Sequence, residues 1–502
     1  MWVDTAHPTR RYRMADSALA VRLARRLQAE KRVASIAPFA LQDPDRTGTL
    51  AKFCRAEGTT MRRSGRVVAV FLLSLIGGVK NAAGQQPKRL DSYQLARAHM
   101  MLRTVYDEIR KNYYDPTYHG VALESTYARV DKALDNSSTN TDAFFLIATF
   151  VSSLEDSHTF FIPPEHVHPM DRGFRMEPIG DACFVTRVEP KSDAALKLHP
   201  GDRILSINGY AAERRSYQAL DYLFQILAPT PTLTMVLVGP NGVQRTEVVK
   251  ASFRPGKDTL DLTGDESSED NHRQTIQDEN EQYRNRERLV DSGDIVIWKM
   301  PNFEATEDAI NSSFGNVRKH GTLILDLRGN PGGYEDILKL MLAHVFNREI
   351  KVADRVSRKD TKPVIVKTSN WLAYNGRIIV LTDSNSGSAA ELFARVMQLE
   401  HRGLVIGDRS AGAVMEAHPY TESVGNDTQV LYTLSVTSAN LIMTDGKSLE
   451  KVGVIPDVLV LPTASEMAAG QDPVLARAVA MAGGSMDATT AGTLFPYEWP
   501  TL

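Results

Sequence analysis

The sequence predicts a multidomain α/β protein in which a helical module, a small β domain and an α/β core follow one another. Three patterns support this prediction. Apolar residues recur at helical spacing over residues 88–160, short β-rich runs bounded by Gly, Pro and Asn fill residues 172–253, and strand-like and helix-like segments alternate from Gly293 onward. Such an alternation is typical of parallel strands that crossover helices connect. A chain of 502 residues has room for about two to four such units.

Changes of composition set the boundaries of these units. The helical module spans residues 85–170 and the β domain spans residues 171–255. Residues 256–292 are polar and highly charged with few apolar anchors, which favours a linker or a solvated insertion. The α/β core follows over residues 293–480, and a C-terminal tail over residues 481–502.

The N-terminal region predicts export. Residues 61–84 combine three arginines, the apolar run Val67–Val79 and the small residues Ala82-Ala83-Gly84. This combination is typical of a secretory signal peptide and predicts a periplasmic or extracellular protein. Met61 is then the natural start, and residues 1–60 are a non-native upstream extension. A buried apolar helix and a retained single-helix anchor are the alternatives, and such an anchor would also associate the chain with a membrane.

Charge and cysteine content narrow the class of protein. The net charge is −3, although residues 1–84 carry 15 Lys and Arg against 6 Asp and Glu. Residues 85–502 are therefore acidic, which disfavours nucleic-acid binding. The two cysteines are Cys54 and Cys183, and signal cleavage would leave Cys183 alone, without a disulfide or a cysteine metal cluster. His166 and His168 could pair on a metal, but no third ligand is evident. We therefore expect no metal and no other cofactor.

The β domain resembles a PDZ domain. Its strand "ACFVTRVEP" continues through a small-residue turn into "PGDRILSING". Gly173, Phe174, Arg175 and Met176 match the loop that holds a peptide's terminal carboxylate with backbone N–H groups. The resemblance implies that an extended peptide adds as a strand along an open sheet edge. An unrelated small β domain is the alternative.

Two turns in the core carry residues suited to catalysis. In "DLRGNPGGYEDI", residues 326–337, Gly332 and Gly333 interrupt a strand–helix junction and indicate a need for bare backbone N–H groups or positive φ. In "SNSGSAAELF", a strand gives way to a helix at Ser388. A serine there has its hydroxyl near the positive end of the helix dipole. An ordinary helix N-cap is the alternative.

Together these motifs resemble those of the carboxyl-terminal processing (tail-specific) serine proteases and of the tricorn protease core. The resemblance covers about residues 88–480. It implies a crotonase- or ClpP-like core with a mostly parallel sheet and Ser388 as the nucleophile. It also implies an oxyanion hole formed by Gly332, Gly333 and the amide of Ala389, which would stabilise the charge on the scissile carbonyl. A tight turn that needs only positive φ is the alternative role of the glycines.

The resemblance also implies which residue is the general base. Many family members use a Ser–Lys dyad, but the lysine position holds Ala413, which cannot accept a proton. The tricorn-like branch supplies a histidine instead, and "LEDSHTFF" resembles its motif, which assigns His158 as the base. Ser157 matches a serine that assists in that branch. The segment "GKSLEKVGVIPD" resembles the one that carries the orienting acid, which assigns Glu450, with Asp445 and Glu416 as alternatives.

The predicted function is that of a secreted or periplasmic serine endopeptidase. It would cleave extended protein segments or C-terminal tails through an acyl-enzyme, so unfolded or extended polypeptides are the expected partners and nucleic acids are not. The alternative is a catalytically inactive, protease-like protein that binds peptides through its PDZ domain, since Ala413 is what a decayed dyad would leave.

Overall fold

A computed structural model describes residues 90–164, 170–253, 288–368, 373–425 and 429–499. The predicted upstream extension, the predicted signal peptide and most of the predicted linker lie outside these residues, and so do Cys54, His166 and His168. Within the described residues, no helix has the length and apolar character that crossing a membrane would need.

The first part of the described chain is helical, as predicted. It contains α1 (Ser92–Asn112), α2 (Leu123–Leu134) and α3 (Asn140–Ser152). Helix α1 begins with a capping box, because the Asp91 side chain accepts from Gln94 N and the Gln94 side chain accepts from Asp91 N. The buried face of α1 has helical spacing and includes Met101, Leu102, Val105 and Ile109. After α3 the chain enters strand β1 (Phe160–Ile162), which belongs to a sheet of the core.

The second part is a β domain with an open main sheet. Its elements are β2 (Met170–Asp171), β3 (Phe174–Ile179), β4 (Ala182–Val188), β5 (Arg203–Ile207), β6 (Tyr210–Ala211), α4 (Arg214–Tyr222), β7 (Thr232–Val238), β8 (Gln244–Lys250) and β9 (Ser252–Phe253). The main sheet is antiparallel with the order β3-β4-β5-β7-β8. Strand β3, which carries three of the four predicted peptide-binding residues, is therefore an edge strand, and helix α4 packs beside it. Cys183 is buried in the core of this domain.

The third part is the α/β core. Its elements are β10 (Arg288–Ser292), β11 (Ile295–Lys299), α5 (Glu307–Val317), β12 (Thr322–Asp326), α6 (Glu335–Val345), β13 (Ile350–Ser357), β14 (Thr361–Val366), β15 (Arg377–Thr382), α7 (Ala389–Leu399), β16 (Leu404–Gly407), β17 (Met415–Val424), β18 (Val430–Met443), β19 (Val458–Leu459), α8 (Ala464–Ala468), α9 (Pro473–Met481) and α10 (Ala488–Thr493). Strand β10 lies within the predicted linker, and α10 lies within the predicted tail, so the folded core extends past both expected boundaries.

The core contains two sheets of different kinds. One has the order β10-β11-β12-β15-β16-β19, with an antiparallel pair at β10–β11 and parallel pairs elsewhere. The other consists of β1, β18, β13, β14 and β17 and is antiparallel throughout. The prediction of a mostly parallel core is therefore not confirmed, because the core as a whole is mixed. Strand β18 is central in this second sheet, because it pairs with β1, β13 and β17.

Helices cover both faces of the first sheet. Side chains on β11 alternate between two apolar clusters: Val296 and Trp298 pack with α5, α6 and α7, whereas Ile295 and Ile297 pack with α9 and α10. The strands of a parallel sheet that is covered on both faces have nearly continuous apolar sequences. The carboxyl ends of its strands then carry the loops that form the candidate site.

Candidate active site

Ser388 lies in the loop between β15 and α7, at the N-terminus of the helix. Its backbone has φ 50° and ψ −119°, a region that few non-glycine residues adopt. The Ser388 amide donates to Ala413 O at 2.9 Å and to Glu391 Oε2 at 3.0 Å. These bonds hold the residue in its unusual conformation at the positive end of the helix dipole.

The glycine turn after β12 lies directly against this serine. Gly332 has φ 97°, and a methyl group on its Cα would lie 2.6 Å from Ser388 Cβ and 2.9 Å from Ala389 N. Gly333 has φ 146°, and a methyl group there would lie 2.5 Å from Phe303 O. Both positions therefore need glycine for two reasons, the backbone conformation and the close approach of neighbouring backbone.

The three amides expected at the oxyanion hole are not equivalent. The Gly332 amide donates to Asn330 Oδ1 at 2.8 Å. In the part of the chain that the structure describes, the amides of Gly333 and Ala389 donate to no protein acceptor. These two groups are consequently available to a carbonyl oxygen placed beside Ser388.

The loop between α3 and β1 carries the expected base. His158 Nδ1 and Ser157 Oγ are 2.7 Å apart, and Ser157 Oγ donates to Glu450 Oε2 at 2.7 Å. Since the Ser157 hydroxyl has one proton and gives it to the carboxylate, it accepts from His158 Nδ1–H. This arrangement fixes the tautomer of the imidazole and leaves the lone pair on Nε2. Ser157 and His158 are buried.

Glu450 thus contacts the imidazole through the serine hydroxyl, whereas the motif resemblance implies that it orients the imidazole itself. Burial, and secondarily the charge of Asp156, raises the pKa of Glu450 from 4.5 to about 7. The alternative acids are engaged elsewhere: Glu416 pairs with Arg355, and Asp445 pairs with Arg395.

A single peptide connects the two halves of the site. Ala413 O accepts from the Ser388 amide, and the next amide, Val414 N, donates to Glu450 Oε2 at 3.1 Å. The nucleophile turn and the Glu450–Ser157–His158 chain are therefore fastened to the two sides of the same peptide. The residue at the position of the absent lysine contributes through its backbone.

Glu391, which was not predicted as a site residue, is the buried carboxylate that holds this arrangement. Glu391 Oε1 accepts from Ser410 Oγ and Gly412 N, both at 2.6 Å, and Oε2 accepts from Ala413 N at 2.9 Å as well as from Ser388 N. Burial raises its pKa, and these donors oppose the shift. The signal was present in the sequence, because a serine followed three residues later by Glu is a capping-box pattern.

Two further positioning residues were also missed. Asn330 is buried and donates to Met300 O at 2.8 Å while accepting from Gly332. Asp156 is buried, and its Oδ1 accepts from the amides of His158 and Thr159 at 2.9 and 2.7 Å. Each lies inside a quoted motif, but nothing in the motif distinguishes such a residue from an ordinary turn residue.

The predicted peptide-binding residues lie apart from these catalytic candidates, at the start of the edge strand β3. Gly173 has φ 66°, and its amide donates to Asp171 Oδ1 at 2.9 Å. Phe174 is buried and Met176 is partly buried. Arg175 Nε donates to the hydroxyl of Tyr497 at 3.0 Å, so the C-terminal segment contacts this end of the β domain.

The core, the β domain and the helical module each match a known protein family or domain. Residues 294–460 match peptidase family S41, residues 165–237 match the PDZ domain, and residues 96–151 match the tricorn protease C1 domain. The resemblance predicted from the motifs is thereby confirmed. The PDZ match begins a few residues before the predicted boundary of the β domain.

Curated proteins similar to this chain are also named as carboxy-terminal processing or tricorn-like proteases. The carboxy-terminal processing protease CtpA of Bacillus subtilis is 23% identical over 406 residues, which are 78% of this chain and 74% of that protein. The putative tricorn-like protease C-terminal subunit of Sulfurisphaera tokodaii is also 23% identical, over 76% of this chain but only 43% of its own length.

Among solved structures, that of mature CPAF aligns with a TM-score of 0.57 at 16% identity, covering 75% of this chain and 95% of CPAF. At that identity the likeness shows the fold, which agrees with the order of helical, PDZ and core regions described above. The match of the core to peptidase family S41, the PDZ match ahead of it and the curated relatives identify the chain as a serine peptidase with a PDZ domain before its core.

Proposed function

We propose that the chain is an endopeptidase that cleaves extended polypeptide segments through an acyl-enzyme on Ser388, with His158 as the general base. Glu450 acts on the base through Ser157. The observation that carries the proposal is the hydrogen-bonded chain from His158 through Ser157 to Glu450, together with the Ala413–Val414 peptide that joins it to the nucleophile turn.

In the first step Ser388 Oγ bonds to the scissile carbonyl carbon as its proton moves to His158 Nε2. The imidazolium keeps its Nδ1–H bond to Ser157 Oγ, and the hydroxyl passes the stabilising effect of the Glu450 carboxylate to it. The carbonyl oxygen takes on negative charge beside the amides of Gly333 and Ala389. Each such donor contributes about 3–4 kcal/mol of transition-state stabilisation.

The proton on His158 then goes to the leaving amine, and the C–N bond breaks to give the acyl-enzyme. Water attacks the ester in the second half of the reaction while His158 accepts its proton, and Ser388 leaves with a proton from the same imidazole. The Ser388–His158–Glu450 assignment needs no lysine, which is consistent with Ala413 at the dyad position. It also leaves the inactive, peptide-binding alternative without an observation in its favour.

The substrate is an extended polypeptide because the PDZ domain offers an edge strand, β3, along which a peptide can add. We also propose that the protein is exported through residues 61–84. N-terminal sequencing of protein recovered from a secreting host tests export, and a start upstream of residue 61 would contradict it.

Ser388→Ala tests the catalytic proposal. We expect loss of cleavage of an unfolded protein substrate and loss of covalent labelling by a fluorophosphonate, with the thermal unfolding midpoint unchanged. Mass spectrometry of the labelled wild type should locate the adduct on Ser388. Cleavage by the alanine variant at the wild-type rate, or an adduct on another serine, would refute the assignment.

A further inference from the structure

The turn after helix α1 has a conformation that its sequence does not favour. Tyr118 has φ 51° and His119 has φ 54°, so two successive non-glycine residues are left-handed. Asp115 helps to hold them, because its Oδ2 accepts from the His119 amide at 2.7 Å. Such residues are strained and persist only where surrounding contacts fix them.

The contacts of the His119 ring show what this conformation achieves. His119 Nδ1 lies 2.8 Å from Leu154 O, and His119 Nε2 lies 2.7 Å from the Tyr114 hydroxyl. A carbonyl oxygen can only accept, so Nδ1 carries the proton and Nε2 accepts from Tyr114. Two weaker neighbours complete the surroundings: the Tyr113 hydroxyl is 3.4 Å from Nδ1, and Asp115 Oδ2 is 3.9 Å from Nε2.

Leu154 lies near the start of the loop that connects α3 to β1 and carries His158. The following carbonyl, Glu155 O, accepts from Lys451 Nζ, next to Glu450 in sequence. Asp156 then accepts from Thr437 Oγ1 at 2.6 Å. Three outside groups therefore hold three successive residues of the loop, and His119 holds the first of them.

The same turn is also fixed to the core. The Tyr114 amide donates to Thr437 O at 3.0 Å, and Thr437 is the residue of β18 that bonds Asp156. Movement of the turn would therefore displace both Leu154, which His119 contacts, and Thr437, which Tyr114 contacts. The backbone that carries Ser157 and His158 follows directly after these contacts.

We propose that His119 is a positioning residue for the general base, which sets the place of the His158 loop by donating from Nδ1 to Leu154 O. The proposal rests on the proposed function, in which His158 is the base. A misplacement of about 1 Å at a catalytic group can lower the rate by about 100-fold. His119 would then act on the rate of the chemical step with no contact to the substrate.

Two substitutions separate the hydrogen bond from the backbone conformation. His119→Gly accepts positive φ without strain but removes the donor to Leu154 O. His119→Asn also tolerates positive φ, and its side-chain amide places an N–H group close to the position of Nδ1. His401→Gly is the matched control, because His401 is an exposed histidine with φ 51° on another part of the surface.

We expect His119→Gly to lower kcat about 10- to 100-fold with KM unchanged, and His119→Asn to restore kcat to within about threefold of the wild type. The rate of fluorophosphonate labelling should fall in parallel with kcat. His401→Gly should change neither. Wild-type kcat in His119→Gly, or an equal loss in His119→Asn, would overturn the proposal.

Failure of the proposed function has a different signature. Full activity in His158→Ala would refute the role of the base itself, whatever the His119 variants do. A strong loss in His158→Ala together with an unaffected His119→Gly would refute the positioning role alone.

Discussion

The nucleophile side and the base side of the site are constructed in different ways. Ser388 is held mainly by nearby groups on its own helix and by one loop, since Glu391 lies three residues away. His158 is held by distant groups: its partner Ser157 bonds Glu450, 293 positions along the chain. The nucleophile side is therefore a local motif, whereas the base side exists only when the helical module and the core are assembled.

The largest effect is expected on the nucleophile side, from Gly332→Ala. The added methyl group would overlap Ser388 Cβ and the Ala389 amide, and φ 97° would be strained as well. We expect cleavage to fall by about 1,000-fold or more because the serine and an oxyanion donor are both displaced. Steady-state kinetics on an unfolded protein substrate measure the loss.

Gly329→Ala in the same turn is the control for that experiment. Gly329 also has positive φ, 70°, but a methyl group there meets nothing within 4 Å. A similar loss in both variants would mean that backbone strain, rather than the contact with Ser388, accounts for the result.

The next largest effect is expected on the base side, from Glu450→Gln. The amide keeps the shape of the side chain but removes the charge that stabilises the imidazolium through Ser157, so kcat should fall by about 100-fold. The pH profile provides a second readout. Glu450 has a pKa of about 7, and the proposed mechanism needs its ionised form. Wild-type activity should therefore rise as the pH passes through 7.

In Glu450→Gln that acid limb should lose the contribution of this carboxyl group. An unchanged kcat with an unchanged profile would show that the base side functions without its acid.

A smaller effect is expected from Glu391→Gln. The amide nitrogen would face backbone N–H groups that now donate to Oε1 or Oε2, so the Ala413 segment and Ser388 would both shift. We expect kcat to fall about tenfold with KM unchanged. Glu400→Gln, at the other end of the same helix and paired with Arg348 on the surface, should leave kcat unaltered; equal effects in the two variants would contradict the positioning role.

The smallest effect concerns stability. The pKa of Glu450 is about 7 in the folded chain against an ordinary 4.5, so the folded state binds this proton more tightly than the unfolded state. The resulting stabilisation is complete below about pH 4.5 and is lost as the pH rises to about 7. Urea titrations at several pH values measure how the free energy of unfolding declines as the pH rises, and this decline should be shallower in Glu450→Gln than in the wild type. The same dependence of unfolding free energy on pH in the two proteins would argue against the shifted pKa.

The same local and distant division explains what could be predicted from the sequence. The Gly332-Gly333 turn and Ser388 are contiguous motifs, and the structure brings them within contact distance of each other. The three-part order of the chain followed from periodicity, from the Gly, Pro and Asn residues that bound the β-rich runs, and from changes of composition. The second sheet did not, because β1 pairs with β18 across more than 270 positions and pairing at that range leaves no local pattern.

Site residues that act through others were the hardest to predict. Asn330 looks like a turn residue in sequence, and its role appears only in its hydrogen bond with Gly332. Glu391 stands in a capping-box pattern, but that pattern does not indicate its bonds with Ser410, Gly412 and Ala413. The involvement of Ala413 through its backbone was likewise hidden, since a side chain that cannot accept a proton gave no reason to expect a contribution.

The most direct test of the account is the rate constant for fluorophosphonate labelling of Ser388 in His158→Gln, measured beside the wild type at pH 8. Glutamine preserves much of the volume but cannot take the proton from the hydroxyl, so we expect the rate constant to fall by about 1,000-fold while the thermal unfolding midpoint is retained. Labelling at the wild-type rate would contradict the account, because Ser388 would then be activated by some other group.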